Sequence, residues 1–150
     1  MGMTIAEKIL AKKSGRDRVA AGDLVTVNVD TVVLFDNNFM PSIWQDMLKM
    51  EHPERVVVIL DHRVPAPTIQ SAGAHRTARK FVEKFGIARF HDVGGTQGIC
   101  HQVVADQGYA LPGTVLVCSD SHTCSAGAFN CIARGVGGPD VMYAAAKGET

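Results

Sequence analysis

The sequence predicts an α/β fold, a three-layer α/β/α arrangement around a mainly parallel sheet, on three observations. Strand-like and helix-like segments alternate along the chain. Two of the strand-like runs, 56–60 and 114–117, are almost continuously apolar, as expected of strands covered on both faces. Polar residues able to do chemistry fall just after the ends of three such runs. Open sheets of this kind bind ligands beyond the carboxyl ends of their strands, so a site is expected there.

The elements follow in order. Thr4-Ile5-Ala6-Glu7 has the form of a capping box. Ile5, Ile9 and Leu10 then make a narrow apolar stripe, and Gly15 is a stop signal. Ala21-Gly22-Asp23 is a turn into a Val- and Thr-rich strand over 24–35, with alternation at Val25, Val27 and Val29. Pro41 opens a predicted helix over 42–50. The strand 56–60 is followed by a helix over 69–84, closed by Gly86. A strand over 89–93 ends at Gly94-Gly95, and a helix over 99–107 ends at Gly108. The strand 114–117 leads into Cys118-Ser119-Asp120-Ser121-His122 and then small residues that can form a helix.

A length of 150 residues suits one domain that buries roughly 70% of its unfolded surface. With 46% hydrophobic and 20% charged residues, the composition is that of a soluble globular protein. Lys plus Arg equals Asp plus Glu at 15 each, which gives no electrostatic case for nucleic acid or an anionic membrane. The first residues show no secretory signal, and no apolar run has transmembrane length. A cytoplasmic setting with reduced cysteines is expected. Cys100, Cys118, Cys124 and Cys131 form no C-x-x-C pair, which argues against a self-contained zinc or redox site. Each reads most simply as a small buried hydrophobe.

Three polar clusters carry the functional reading. In Leu60-Asp61-His62-Arg63-Val64-Pro65-Ala66-Pro67, an aspartate beside a histidine can orient the ring and stabilise its protonated form, suiting a general acid. Neighbouring residues point apart on a strand, so this pairing requires a loop, which the prolines favour; a solvated turn is the plainer alternative. In Gly98-Ile99-Cys100-His101-Gln102, a glycine loop opening a helix can offer N–H groups to an anion, with His101 in the first turn. A hydrogen-bonded helix histidine explains the same residues. In Ser119-Asp120-Ser121-His122-Thr123, carboxylate, hydroxyl and imidazole together can bind a hydroxy-acid or hold a water. An ordinary helix-capping loop is the alternative there. A hydrolase triad is excluded: consecutive residues cannot form its line, and no Gly-x-Ser-x-Gly elbow occurs.

Other features weigh less. Gly135-Val136-Gly137-Gly138 lacks the Gly-x-Gly-x-x-Gly register and is not read as following a strand, so dinucleotide binding is rejected. Trp44, Met40, Met47 and Met50 read as packing residues. His52, His75 and His91 read as surface or structural, and the stretch His75-Arg76 to Arg79-Lys80 as a solvated helix face.

In combination and in order, these motifs resemble the aconitase superfamily, in particular the large subunits of 3-isopropylmalate dehydratases. The likeness runs from Met3-Thr4-Ile5-Ala6-Glu7 through Gly22-Asp23-Leu24-Val25, the Asp61-His62 cluster and Asp92-Val93-Gly94. It continues through Gly98-Ile99-Cys100-His101, Ser119-Asp120-Ser121-His122-Thr123 and Gly135-Val136-Gly137. The resemblance implies that residues 1–150 are an incomplete first aconitase-like α/β domain. It implies dehydration and rehydration of a hydroxy di- or tricarboxylic acid such as 3-isopropylmalate, in leucine biosynthesis, with a [4Fe-4S] cluster as Lewis acid. Asp61 and His62 match the pair that protonates the departing hydroxyl, and His101 a member of the surrounding hydrogen-bond network. Asp120, Ser121 and His122 match residues that contact substrate or the iron-bound oxygen.

The family's cluster cysteines lie downstream of the matched region, so no metal ligand is expected within this chain. The proton-abstracting serine is expected on a swivelling domain, often a separate small subunit. Asn37 and Asn38, in Phe35-Asp36-Asn37-Asn38-Phe39-Met40-Pro41, fall in the substrate-facing segment. That segment lacks the Thr-x-x-Gln-like pattern of leucine-pathway isomerases and is closer to an Asp-Asn-Thr form of other relatives. A homoaconitase- or 2,3-dimethylmalate-type dehydratase is therefore an alternative, as is a non-catalytic interaction module if the chain ends at 150.

Overall fold

The computed structural model describes residues 2–44 and 46–150. The expected α/β/α layering is present. Helix α1 spans Ile5–Ser14 and starts on a complete capping box, with Thr4 accepting from the Glu7 amide and Glu7 reaching back to the Thr4 amide. Gly15 ends it in the left-handed region at φ 69°.

Five parallel strands form the sheet: β1 Thr31–Phe35, β2 Val56–Ile59, β3 Arg89–His91, β4 Val115–Cys118 and β5 Ile132–Gly135. Their order is β3-β2-β1-β4-β5. The chain therefore builds outward from β1 on one side, then crosses back to build outward on the other. The β1/β4 boundary is the switch point of the strand order, where open sheets of this kind bind their ligands.

Helix α2 (Ile69–Phe85) joins β2 to β3, helix α3 (Cys100–Asp106) joins β3 to β4, and helix α4 (Gly138–Lys147) follows β5. Alternation along the strands sorts the core into two layers. Val32, Leu34, Val56, Val58, Val115 and Val117 pack with Ala74, Ala78 and Phe81 of α2 and Val141 and Ala144 of α4. Val33, Phe35, Val57, Ile59, Leu116 and Cys118 pack on the other face, with Cys100, Val103 and Val104 of α3 and Ala126 of the 3-10 helix Thr123–Phe129. Strands β1, β2 and β4 are buried along their whole length, as their apolar runs require.

The chain departs from the sequence expectations in three places. The stretch 24–35 joins the sheet only from Thr31; Leu24 is 92% exposed. The alternation at Val27 and Val29 is genuine one-sided burial, but their backbone bonds go to Gly148 and Thr150, in a short antiparallel contact centred on Asn28 and Glu149. The helix expected over 42–50 is absent among the described residues; Gln45 lies outside them. Tertiary anchors take the backbone instead: Trp44 packs against Phe39 and Phe81, while the Lys84 ammonium donates to the Met47 carbonyl at 2.7 Å. Finally, Gly135-Val136-Gly137-Gly138 begins at the last residue of a strand, the unforeseen β5, and leads into α4. The small residues after His122 form a 3-10 helix, closed by Asn130 at φ 60°. No described helix is long and apolar enough to cross a membrane.

Candidate active site

The ends of β1, β2 and β4 and the start of α3 converge on one carboxylate. Asp120, just past β4, accepts a bond from His101 Nε2 on Oδ1 at 2.7 Å, and Oδ1 also takes the His122 backbone N–H at 2.7 Å. The His122 ring nitrogen Nδ1 lies 3.3 Å from the same oxygen. The other oxygen, Oδ2, stands 3.3 Å from His62 Nε2. Asp120 thus gathers the imidazoles of all three clusters read from the sequence.

His62 is held from both ends. Its Nδ1 is 3.4 Å from Asp61 Oδ2, so the loop after β2 does bring these neighbours into the geometry that an extended strand denies. Its ring stacks on Phe35 with centroids 4.5 Å apart. Asp61 is itself fixed by the Cys100 backbone N–H at 2.8 Å, which ties the β2 loop to the start of α3. The first turn of that helix meets a carboxylate of the chain itself, and the Cys100 amide, which has no partner within the helix, is satisfied there.

Burial grades across the group. The Asp61 and Asp120 side chains are each 12% exposed, His101 24%, His62 36% and His122 81%. The carboxylates form the floor and the imidazoles the accessible wall. Burial pushes the Asp120 carboxyl upward, but the His122 amide, the His101 bond and the neighbouring imidazole charges outweigh it and leave the group below its ordinary value. Ser121 is exposed at the rim, its Oγ 3.4 Å from His122 Nδ1.

Asn37 and Asn38 take different places. Asn37 is half-buried and accepts Arg63 Nε at 2.8 Å on its side-chain oxygen. Asn38 is 3% exposed; its oxygen accepts the Phe35 amide at 3.0 Å and its nitrogen donates to Ser119 Oγ at 2.8 Å, bracing the β1 end against the β4 end. His91 is buried between the Thr96 carbonyl and the Tyr109 hydroxyl, a structural role. His52 sits beside Glu54, away from the cluster. His75 departs from the solvated-face reading, being 4% exposed while Arg76, Arg79 and Lys80 face solvent.

Sequence reasoning passed over Asp36 and gave Gly135 no positioning role. Asp36 is fully buried and receives the His62 amide at 3.0 Å and the Arg63 amide at 2.6 Å, so it sets the loop that carries His62. An aspartate directly after an apolar strand was its one signal. Gly135 leaves space for the Asp120 carbonyl, which would collide with any Cβ there.

His101, Asp120 and His122 each offer a donor atom within 4.8 Å of the others, a spacing that could hold a metal ion, although these atoms are already bonded among themselves. The cysteines offer no comparable set. Cys100, Cys118 and Cys131 are buried, and burial pushes all three thiols upward, Cys118 to about 11. Such thiols are protonated when no metal is bound.

Carboxylate-braced imidazoles at the switch point of the sheet are groups chemically able to hold and pass protons. The aconitase (aconitate hydratase) family model matches residues 7–150, and the chain belongs to that family. It is 51% identical to the 3-isopropylmalate dehydratase large subunit of Mycolicibacterium smegmatis, over 100% of this chain and 35% of that protein. It is 41% identical to the methanogen homoaconitase large subunit of Methanocaldococcus jannaschii, over 99% of this chain and 35% of that one. With the homoaconitase large subunit of Thermus thermophilus the identity is 42%, over 100% of this chain and 36% of the relative. The chain thus spans about a third of the length of these relatives.

Proposed function

We propose that this chain supplies one wall of the active site of a hydro-lyase that dehydrates and rehydrates a hydroxy di- or tricarboxylic acid, with 3-isopropylmalate the leading substrate. The observation that carries the reading is Asp120 holding His101 and His122 while facing His62. Removing a hydroxide from carbon needs a proton delivered to the departing oxygen. His62, with Asp61 behind one ring nitrogen and Asp120 beside the other, is built to hold that proton and hand it over. Asp120 fixes the rings of His101 and His122, while the exposed Ser121 and His122 meet the substrate's carboxylate or hydroxyl. Asn37 and Asn38 shape the wall from behind, through Arg63 and Ser119.

An iron–sulfur cluster, implied by the family, would act as Lewis acid in the complete enzyme. Its thiolates would come from outside the described residues, among which no cysteines gather into a ligand group. The relatives' names as large subunits support a separate small subunit, which would carry the base that takes the carbon-bound proton. A cytoplasmic enzyme of leucine biosynthesis fits this reading. The homoaconitase names at 41% and 42% identity favour homoaconitate as the second substrate to test.

The test is anaerobic reconstitution with the small subunit, followed by ultraviolet absorbance, which should rise as the unsaturated acid forms from 3-isopropylmalate and fall as homoaconitate is hydrated. Asp61→Asn with His62→Ala, and separately His122→Ala, should lower turnover by about 10²–10⁴-fold. Normal turnover in either variant would refute the assigned roles.

A further inference from the structure

We infer that His75 is a positioning residue: from the second turn of α2 it donates its Nε2–H to the buried Asp36 carboxylate and so fixes the loop that aims His62. The starting point is a mismatch. His75 is 4% exposed, and its Nε2 is a buried polar atom with no hydrogen-bond partner. Its ion-pair partner in reach is Asp36 Oδ2, at 3.9 Å. Asp36 is 0% exposed, and a carboxylate so deeply buried is costly unless donors surround it.

Two donors are in place, the His62 amide on Oδ1 and the Arg63 amide on Oδ2. A carboxylate has lone pairs for about four, so there is room for a third. The tautomer follows from repulsion: a bare Nε2 would turn its lone pair toward the carboxylate, whereas Nε2–H turns a donor toward it. A gap of 3.9 Å is about 1 Å longer than a formed N–H···O bond, which a small turn of the ring closes.

The consequence reaches the site through the loop that carries His62. Asp36 grips the amides of His62 and Arg63, and Arg63 in turn bonds Asn37. With its third donor in place, the carboxylate is held at a fixed orientation, and the His62 ring stays between Asp61 and Asp120. His75 touches none of the reacting groups.

The experiment has two arms. In 15N-histidine-labelled protein, the long-range proton–nitrogen spectrum should show a protonated Nε2 at His75; a bare Nε2 overturns the inference. His75→Phe keeps the ring volume without the donor, and His75→Gln restores an N–H near the Nε2 position. Amide exchange at His62 and Arg63 should accelerate about tenfold in His75→Phe and return toward wild type in His75→Gln. Exchange at Val33 and Leu34 should be unchanged, which separates loss of positioning from general destabilisation. Unaltered exchange at 62–63 in a folded His75→Phe overturns the inference, and if that variant does not fold, the wild-type tautomer decides.

The second arm rests on the hydro-lyase reading. In the assembled enzyme kcat should fall about tenfold in His75→Phe at unchanged KM, with rescue by Gln. A kcat equal to wild type would overturn the link to His62. Wild-type protein without dehydratase activity would refute the proposed function instead, leaving the tautomer and exchange results to judge His75.

Discussion

The carbonyl oxygen of Asp120 occupies the space where a side chain on Gly135 would begin. Strand β5 pairs with β4 up to the partners Cys118 and Gly135, so the loop that leaves β4 must fold across the last residue of its neighbour. Only a residue without Cβ lets that loop lie flat enough for Asp120 to face His62 and His101. Gly135→Ala should therefore cost about 1–3 kcal/mol, as backbone cannot yield like the tip of a flexible side chain. Chemical denaturation measures this, and stability equal to wild type would contradict the close approach.

Asp120→Asn preserves shape and removes charge. Fold and circular dichroism should be retained, while turnover in the proposed hydro-lyase should slow by about 10²-fold or more because the imidazoles lose their shared anion. Unimpaired turnover would remove Asp120 from the centre of the site.

The same residue makes a pH prediction whose sign is fixed by its environment. Burial alone would raise the Asp120 carboxyl, but the His122 amide, the His101 bond and the adjacent imidazole charges lower it below the ordinary value. A group depressed in the folded state stabilises the protein above its unfolded pKa, about 3.9, and loses that contribution as pH falls through the folded value. Urea unfolding of wild type and Asp120→Asn should differ most near neutrality and converge in acid. A difference that widens in acid would show the shift to have the opposite sign.

Thiol chemistry separates the cysteines. Cys124 is exposed, whereas burial pushes up the thiols of Cys100, Cys118 and Cys131, and at Cys100 a bond to Asp61 adds to the effect. Alkylation of native protein at pH 8, read by peptide mass spectrometry, should mark Cys124 first. Modification of Cys100 ahead of Cys124 would mean that the α3 start opens readily to solvent.

Much of this was legible in the sequence because it depends on local chemistry. The Thr4–Glu7 box, the glycine stops at Gly15 and Gly86 and the apolar runs of β2 and β4 each specify their own conformation. His62, His101 and Asp120 were found because they follow strand ends or open a helix, where an open sheet exposes side chains. What escaped depends on partners remote in sequence. Val27 and Val29 look like sheet residues until Gly148 and Thr150 claim their amides, and the segment after Pro41 gives up helix for core anchors at Trp44 and Met47. Asp36 and Gly135 matter through backbone approaches that no periodicity encodes.

The strand order has a kinetic meaning as well. Strands β1, β2 and β3 are successive neighbours, so Asp36, Asp61 and His62 can assemble from the first half of the chain, but Asp120 arrives only when β4 docks on the far side of β1. That pairing closes a longer loop than β1 with β2 does, so loop-closure entropy favours its forming later. On that order the cluster around Asp120 would be completed late, and a partly folded molecule would present His62 without the carboxylate it faces.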